Sequence, residues 1–177
     1  MRRFLDRLYA ASGALAAVSL ASIAVVMLAQ AAMREAGLLF RGADDIVAWL
    51  CAASAFFALG HTFRRGELVR IGILIDHLPR RAQRVVAIAA LAITVVFVAY
   101  MAYAVVRFVY ESWKFNEVAQ GLIQIPIWIP QMSFALGALI LLVAVVDEFV
   151  VLVRGGKPAY QAAEEDRRAR KDFSESL

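Results

Sequence analysis

The sequence has one cysteine, Cys51, in 177 residues, so no internal disulfide can form. It has two histidines and no Cys/His spacing of the kind that builds a zinc site. No Gly-rich phosphate loop and no GxSxG elbow appears, which removes the common nucleotide-binding and hydrolase signatures. No collagen-like, Gln-rich or repeated segment is present. These absences leave no catalytic residue, no metal ligand set and no cofactor site to nominate. The largest deficit is of charge. Residues 8–33, 46–63, 85–106 and 118–146 carry no Asp, Glu, Lys or Arg.

What fills those runs is apolar. The composition is 62% hydrophobic and the mean hydropathy is +0.69. A helix rises about 1.5 Å per residue, so roughly 20 residues, and at least about 17, cross a hydrocarbon core near 30 Å. All four runs qualify, the second with little to spare. The reading is an all-α membrane protein with four transmembrane helices in residues 1–155 and a charged tail over 156–177. The pI of about 9.6 does not point to nucleic acid, because the basic residues lie at span ends, where they meet anionic lipid.

The first run follows Met1-Arg2-Arg3-Phe4-Leu5-Asp6-Arg7. Ala29-Gln30-Ala31 resembles a signal-peptide cleavage site, but such a peptide has an apolar region of only about 7–15 residues. An uncleaved first helix is expected. Ala10, Gly13, Ala14, Ala17 and Ala21 offer a stripe on which another helix can approach closely, unless they merely reflect abundant alanine. Asp44 and Asp45 suit the N-terminus of the second helix, where carboxylates meet the positive end of the dipole.

Between the second and third spans lie Arg64, Arg65, Arg70, Arg80, Arg81 and Arg84, with Glu67 among them. Leu68, Ile71, Ile75 and Leu78 recur at helical spacing, which predicts an amphipathic segment lying in the membrane interface. Asp76 can cap the third helix, with Pro79 in its first turn. Pro126 and Pro130 disfavour helix in the residue before each, so the fourth helix is expected to begin near Pro130.

Fifteen of the 19 basic residues fall on the N-terminal arm, the Arg-rich loop and the tail, and four on the two opposite loops. Positive residues stay inside, which places both termini in the cytoplasm. Trp49, Trp113 and Trp128 fall at the opposite ends of their spans, as an aromatic belt requires. No charge lies near the middle of any span, so the chain shows no proton relay or ion path of its own. His61 and His77 sit at one membrane edge. A pair of histidines could hold a haem in a membrane anchor of a redox enzyme, but haem ligands face one another inside a bundle, and interfacial hydrogen bonding is the simpler expectation. Arg107 and Glu111 form an i, i+4 pair of structural or partner-contacting character. Asp147 and Glu148 fall near the edge that carries the Arg-rich loop and can meet its basic residues.

Several of these segments, taken together, resemble the small membrane subunit of tripartite ATP-independent periplasmic (TRAP) transporters. They are Asp44-Asp45-Ile46, Phe63-Arg64-Arg65-Gly66-Glu67-Leu68-Val69-Arg70-Ile71, Leu78-Pro79-Arg80-Arg81, and Ile125-Pro126-Ile127-Trp128-Ile129-Pro130 with Gly137 downstream. The similarity covers roughly residues 5–155. Glu67 departs from the family, which commonly carries His there. The resemblance implies an accessory subunit of the bacterial inner membrane without a substrate site of its own. It implies a large permease subunit carrying substrate and sodium sites, a periplasmic substrate-binding protein delivering an organic acid, and a bracing role for this chain among membrane lipids.

Overall fold

The computed structural model of the chain describes residues 2–65 and 79–156. Among these are four helices: α1 (Arg2–Glu35), α2 (Ala43–Arg65), α3 (Arg80–Lys114) and α4 (Trp128–Val153). Each contains a stretch long and apolar enough to cross a membrane. Each of the first three charge-free runs lies inside one helix, and the fourth supplies most of α4 together with the connection before it. At 34 and 35 residues, α1 and α3 extend about 50 Å, well beyond a hydrocarbon core. Helix α1 also passes unbroken through Ala29-Gln30-Ala31.

The helices run up and down, with α4 central. Helix α1 packs on α2, α2 on α4, and α3 chiefly on α4. Where α1 meets α2, Ser12 donates to the Phe57 carbonyl, and a side chain at Gly13 would strike the His61 ring at 2.8 Å. The face that α1 buries is Tyr9, Ser12, Ala16 and Ser19. Ala10, Ala14, Ala17 and Ala21 are exposed. Of the expected small-residue stripe, only Gly13 serves this contact, because the residues that pack must share the face carrying Tyr9 and Ser12.

Where α2 meets α4 the backbones come close. A Cβ on Gly137 would lie 2.6 Å from the Phe56 backbone, and one on Gly60 would lie 2.8 Å from Ile140. The rings of Phe56 and Phe134 stack beside this contact at 5.1 Å. Lipid tails are as apolar as leucine, so association here rests on close packing, which small residues allow. Towards the Arg64 end, Tyr9, Phe63, Leu91, Ala144, Val145 and Leu152 form a core to which every helix contributes.

Two boundaries differ from expectation. Helix α4 starts at Trp128 rather than near Pro130, which becomes its third residue. The first four N–H groups of a helix have no intrahelical partner, so proline fits anywhere in that turn. Pro79 is the N-cap of α3, extended at φ −63° and ψ 146°, and not a residue of its first turn. The predicted interfacial segment, the Asp76 cap, Glu67, Arg70, His77 and the tail beyond residue 156 lie outside the described residues.

Candidate functional site

The helices are apolar, so the polar side chains that hold them are few and sit at opposite ends. At one end Arg64 closes α2. Its Nη1 donates to Asp147 Oδ2 on α4 at 2.8 Å, and its Nη2 donates to Asp6 Oδ1 on α1 at 2.9 Å. The guanidinium carbon lies 5.2 Å from the centre of the Tyr9 ring. One side chain thus ties three helices. A planar guanidinium can serve two carboxylates and an aromatic face at once, which a lysine cannot. The side chains of Arg64 and Asp147 are 23% and 26% exposed, and that of Asp6 is 58% exposed. The bond to Asp147 therefore carries more of the energy.

His61, one turn before Arg64, uses Nδ1 to donate to the Tyr9 carbonyl at 3.0 Å. A carbonyl only accepts, so this contact places the ring proton on Nδ1. The Tyr9 hydroxyl is buried and has no hydrogen-bond partner among the described residues. Arg84 Nη2 reaches the Val153 carbonyl at 3.5 Å, a weak tie between α3 and the end of α4.

At the other end Asp45 has the corresponding place. Its Oδ2 accepts from the backbone N–H of Leu122 at 2.7 Å and of Ile123 at 3.1 Å. Gly42, at φ +84°, occupies a region that side-chain-bearing residues rarely adopt, and Ile123 covers the space where its Cβ would stand. Asp44 accepts from Gln30 Nε2 at 3.3 Å. Both aspartates do lie in the first turn of α2, yet Asp45 reaches across to the α3–α4 connection. That connection folds back through a bridge between Val118 and Pro126. Ala119 N–H donates to the Ile125 carbonyl at 2.9 Å and Ile127 N–H to the Glu117 carbonyl at 3.0 Å. Ser112 donates to Glu117 at 2.8 Å.

The sequence-nominated residues thus divide. Arg64, Arg84, Asp44 and Asp45 make contacts between elements, Pro126 bridges to Val118 within the α3–α4 connection, and Pro130 lies in the first turn of α4. Trp49 and Trp128 are half-buried, and Trp113 is exposed with its ring 6.0 Å from that of Tyr110. The side chains of Arg65, Arg80 and Arg81, like all of Glu67 and Arg70, are outside what the structure describes. Arg107 and Glu111 pair at 2.8 Å on an exposed face. Tyr9, Asp6 and the Gly13–His61 seat were not nominated. A lone aromatic in an alanine-rich stretch was the one signal for Tyr9. Among the described residues no group of three or more His, Cys, Asp or Glu side chains is placed to hold a metal ion.

A family model described as "Tripartite ATP-independent periplasmic transporters, DctQ component" matches residues 23–155. No curated protein matches the chain.

Proposed function

The chain belongs to the DctQ-component family of tripartite ATP-independent periplasmic transporters, and from that membership we propose that it braces the large permease subunit of a sodium-coupled transporter for an organic acid. Membership makes it a multi-pass membrane component of a transport system, a family of transporter components and not of enzymes. The bracing role is supported chiefly by one observation. The spans carry no charge near their middle, while their few polar contacts tie the helices together at both ends. A carrier needs ionisable groups or broken helices at mid-membrane depth. A brace needs fixed helices.

In this reading the chain lies in the bacterial inner membrane with both termini in the cytoplasm. The Arg-rich loop, with Arg65, Arg70, Arg80, Arg81 and Arg84, contacts phosphate head groups, each worth up to about 1 kcal/mol near an anionic surface. Trp49, Trp113 and Trp128 hold the opposite interface. The periplasmic binding protein delivers the solute, and the large subunit carries it together with sodium. No observation favours the redox-anchor alternative: His61 has an ordinary helix-to-helix hydrogen bond to the Tyr9 carbonyl and packs its ring on Gly13.

Reconstitution tests the proposal. Proteoliposomes holding this chain alone show no sodium-driven uptake, and those holding it with the large subunit take up solute once binding protein is supplied. Equal uptake by the large subunit without this chain contradicts the bracing role.

A further inference from the structure

Helix α3 has the least cover: its membrane-crossing stretch is the least buried of the four, and it packs chiefly on α4. Along its uncovered side Ile93, Val96, Tyr100, Tyr103, Arg107 and Tyr110 follow one another at alternating steps of three and four, which places them on one face. Tyr100 is 71% exposed and Tyr103 61%. The exposed large hydrophobic side chains of α1 and α4, by contrast, are aliphatic or Met, as suits lipid. The face of α3 is different because it carries hydroxyl groups.

Depth decides what those hydroxyls meet. The charge-free run of α3, residues 85–106, is about 33 Å long, close to a hydrocarbon thickness, so Arg107 marks its boundary. Tyr100 lies seven residues, about 10 Å, inside that boundary. Side chains on a helix lean towards its N-terminus. On α3 that lean carries Tyr100 deeper, away from the head groups near Arg107. Tyr110 and Trp113 lie beyond Arg107 and suffice for an aromatic belt. Arg107 pairs with Glu111, and Tyr103 stands one turn from that guanidinium. Tyr100 has no hydrogen bond among the described residues. Lipid tails offer no acceptor, and a hydroxyl left unpaired in hydrocarbon is costly.

We infer that this face of α3 receives a membrane helix of the large permease subunit, which sets a hydrogen-bond acceptor opposite Tyr100 and apolar side chains opposite Ile93 and Val96. The inference rests on the functional reading above. A second copy of this chain fits less well. A two-fold contact through this face sets Arg107 against Arg107 at the edge of a low-dielectric layer, where like charges repel strongly. Tyrosine and arginine are among the side chains enriched at the energetic centres of protein interfaces.

A photo-crosslinking amino acid at position 100, with a second at exposed Leu20 of α1 as control, tests this in membranes containing the large subunit. Position 100 gives an adduct with the large subunit and position 20 gives lipid adducts. Lipid adducts alone, or an adduct with a second copy of this chain, from position 100 in a complex that still copurifies overturns the inference and leaves the functional reading standing. Failure of the unsubstituted chain to copurify with the large subunit overturns both. Tyr100→Phe removes one hydroxyl and leaves the ring, so the chain folds. It releases the large subunit about fivefold faster, whereas Leu20→Phe leaves that rate unchanged. An unchanged rate for Tyr100→Phe removes the acceptor from the account.

Discussion

The two ends of the bundle are fastened by different chemistry. At the Arg64 end a side chain meets side chains, with one guanidinium shared by carboxylates of α1 and α4. At the Asp45 end a side chain meets backbone, with one carboxylate accepting from two consecutive amides of a connection 77 residues away. The first arrangement fixes helices against one another and says little about the chain between them. The second fixes the path of a connection and, through it, the spacing of α2 from the end of α3 and the start of α4. Helices are joined at one end and a loop is shaped at the other.

Four single substitutions, one of them also combined with a second, press on that difference, from the largest effect to the smallest. Gly137→Val acts on both ends, because its side chain meets the Phe56 backbone, which cannot swing aside. Overpacking of this kind costs about 3 kcal/mol, and the thermal transition in detergent falls as a single event. Arg64→Met acts on one end. It leaves Asp147 largely buried without its cation, at a cost of about 2 kcal/mol after allowing for its residual exposure. Adding Asp147→Leu recovers most of that loss, which a double-mutant cycle measures.

Asp45→Asn keeps the shape and removes the charge, weakening two amide bonds by about 1.5 kcal/mol. Hydrogen exchange rises at Leu122 and Ile123 and stays unchanged around Arg64. Coupled exchange at both ends would show that the two fastenings are one. Asp6→Asn has the smallest effect, under about 0.5 kcal/mol, because that carboxylate is more than half exposed. Its effect fades as salt is raised, whereas that of Arg64→Met persists.

How much of this was legible depends on the range of each contact. The spans were readable because charge is excluded from their membrane-crossing lengths, and each helix contains most or all of one uncharged run. The meeting of Asp147 with a basic residue was readable in outline, since depth along a helix follows from residue count. Its partner Arg64 was one of several arginines, and sequence alone could not choose among them. Asp45 was placed at the right position with an incomplete role. A local rule assigns an aspartate at a helix start to that helix's dipole, and only the tertiary arrangement brings Leu122 and Ile123 to it. Gly137 was quoted as part of a resemblance, while its work, the approach of α4 to the Phe56 backbone, is a property of two helices. Tyr9 and the seat of His61 on Gly13 were illegible for the same reason. The start of α4 was readable to within two residues and no closer, because proline is tolerated throughout a first turn.

A brace holds its own shape while its partner moves, and spin-label distances test that directly. With Cys51 replaced by alanine, labels at exposed Val25 on α1 and Phe108 on α3, off the face proposed to receive the large subunit, report across the bundle. The chain is assembled with the large subunit in proteoliposomes and measured without ligand, with sodium, and with sodium, solute and binding protein. The account predicts one unchanged distance distribution in all three conditions, while a label pair from Val25 to a moving element of the large subunit shifts. A shift within this chain that tracks sodium or solute would contradict it, making the subunit part of the moving machinery.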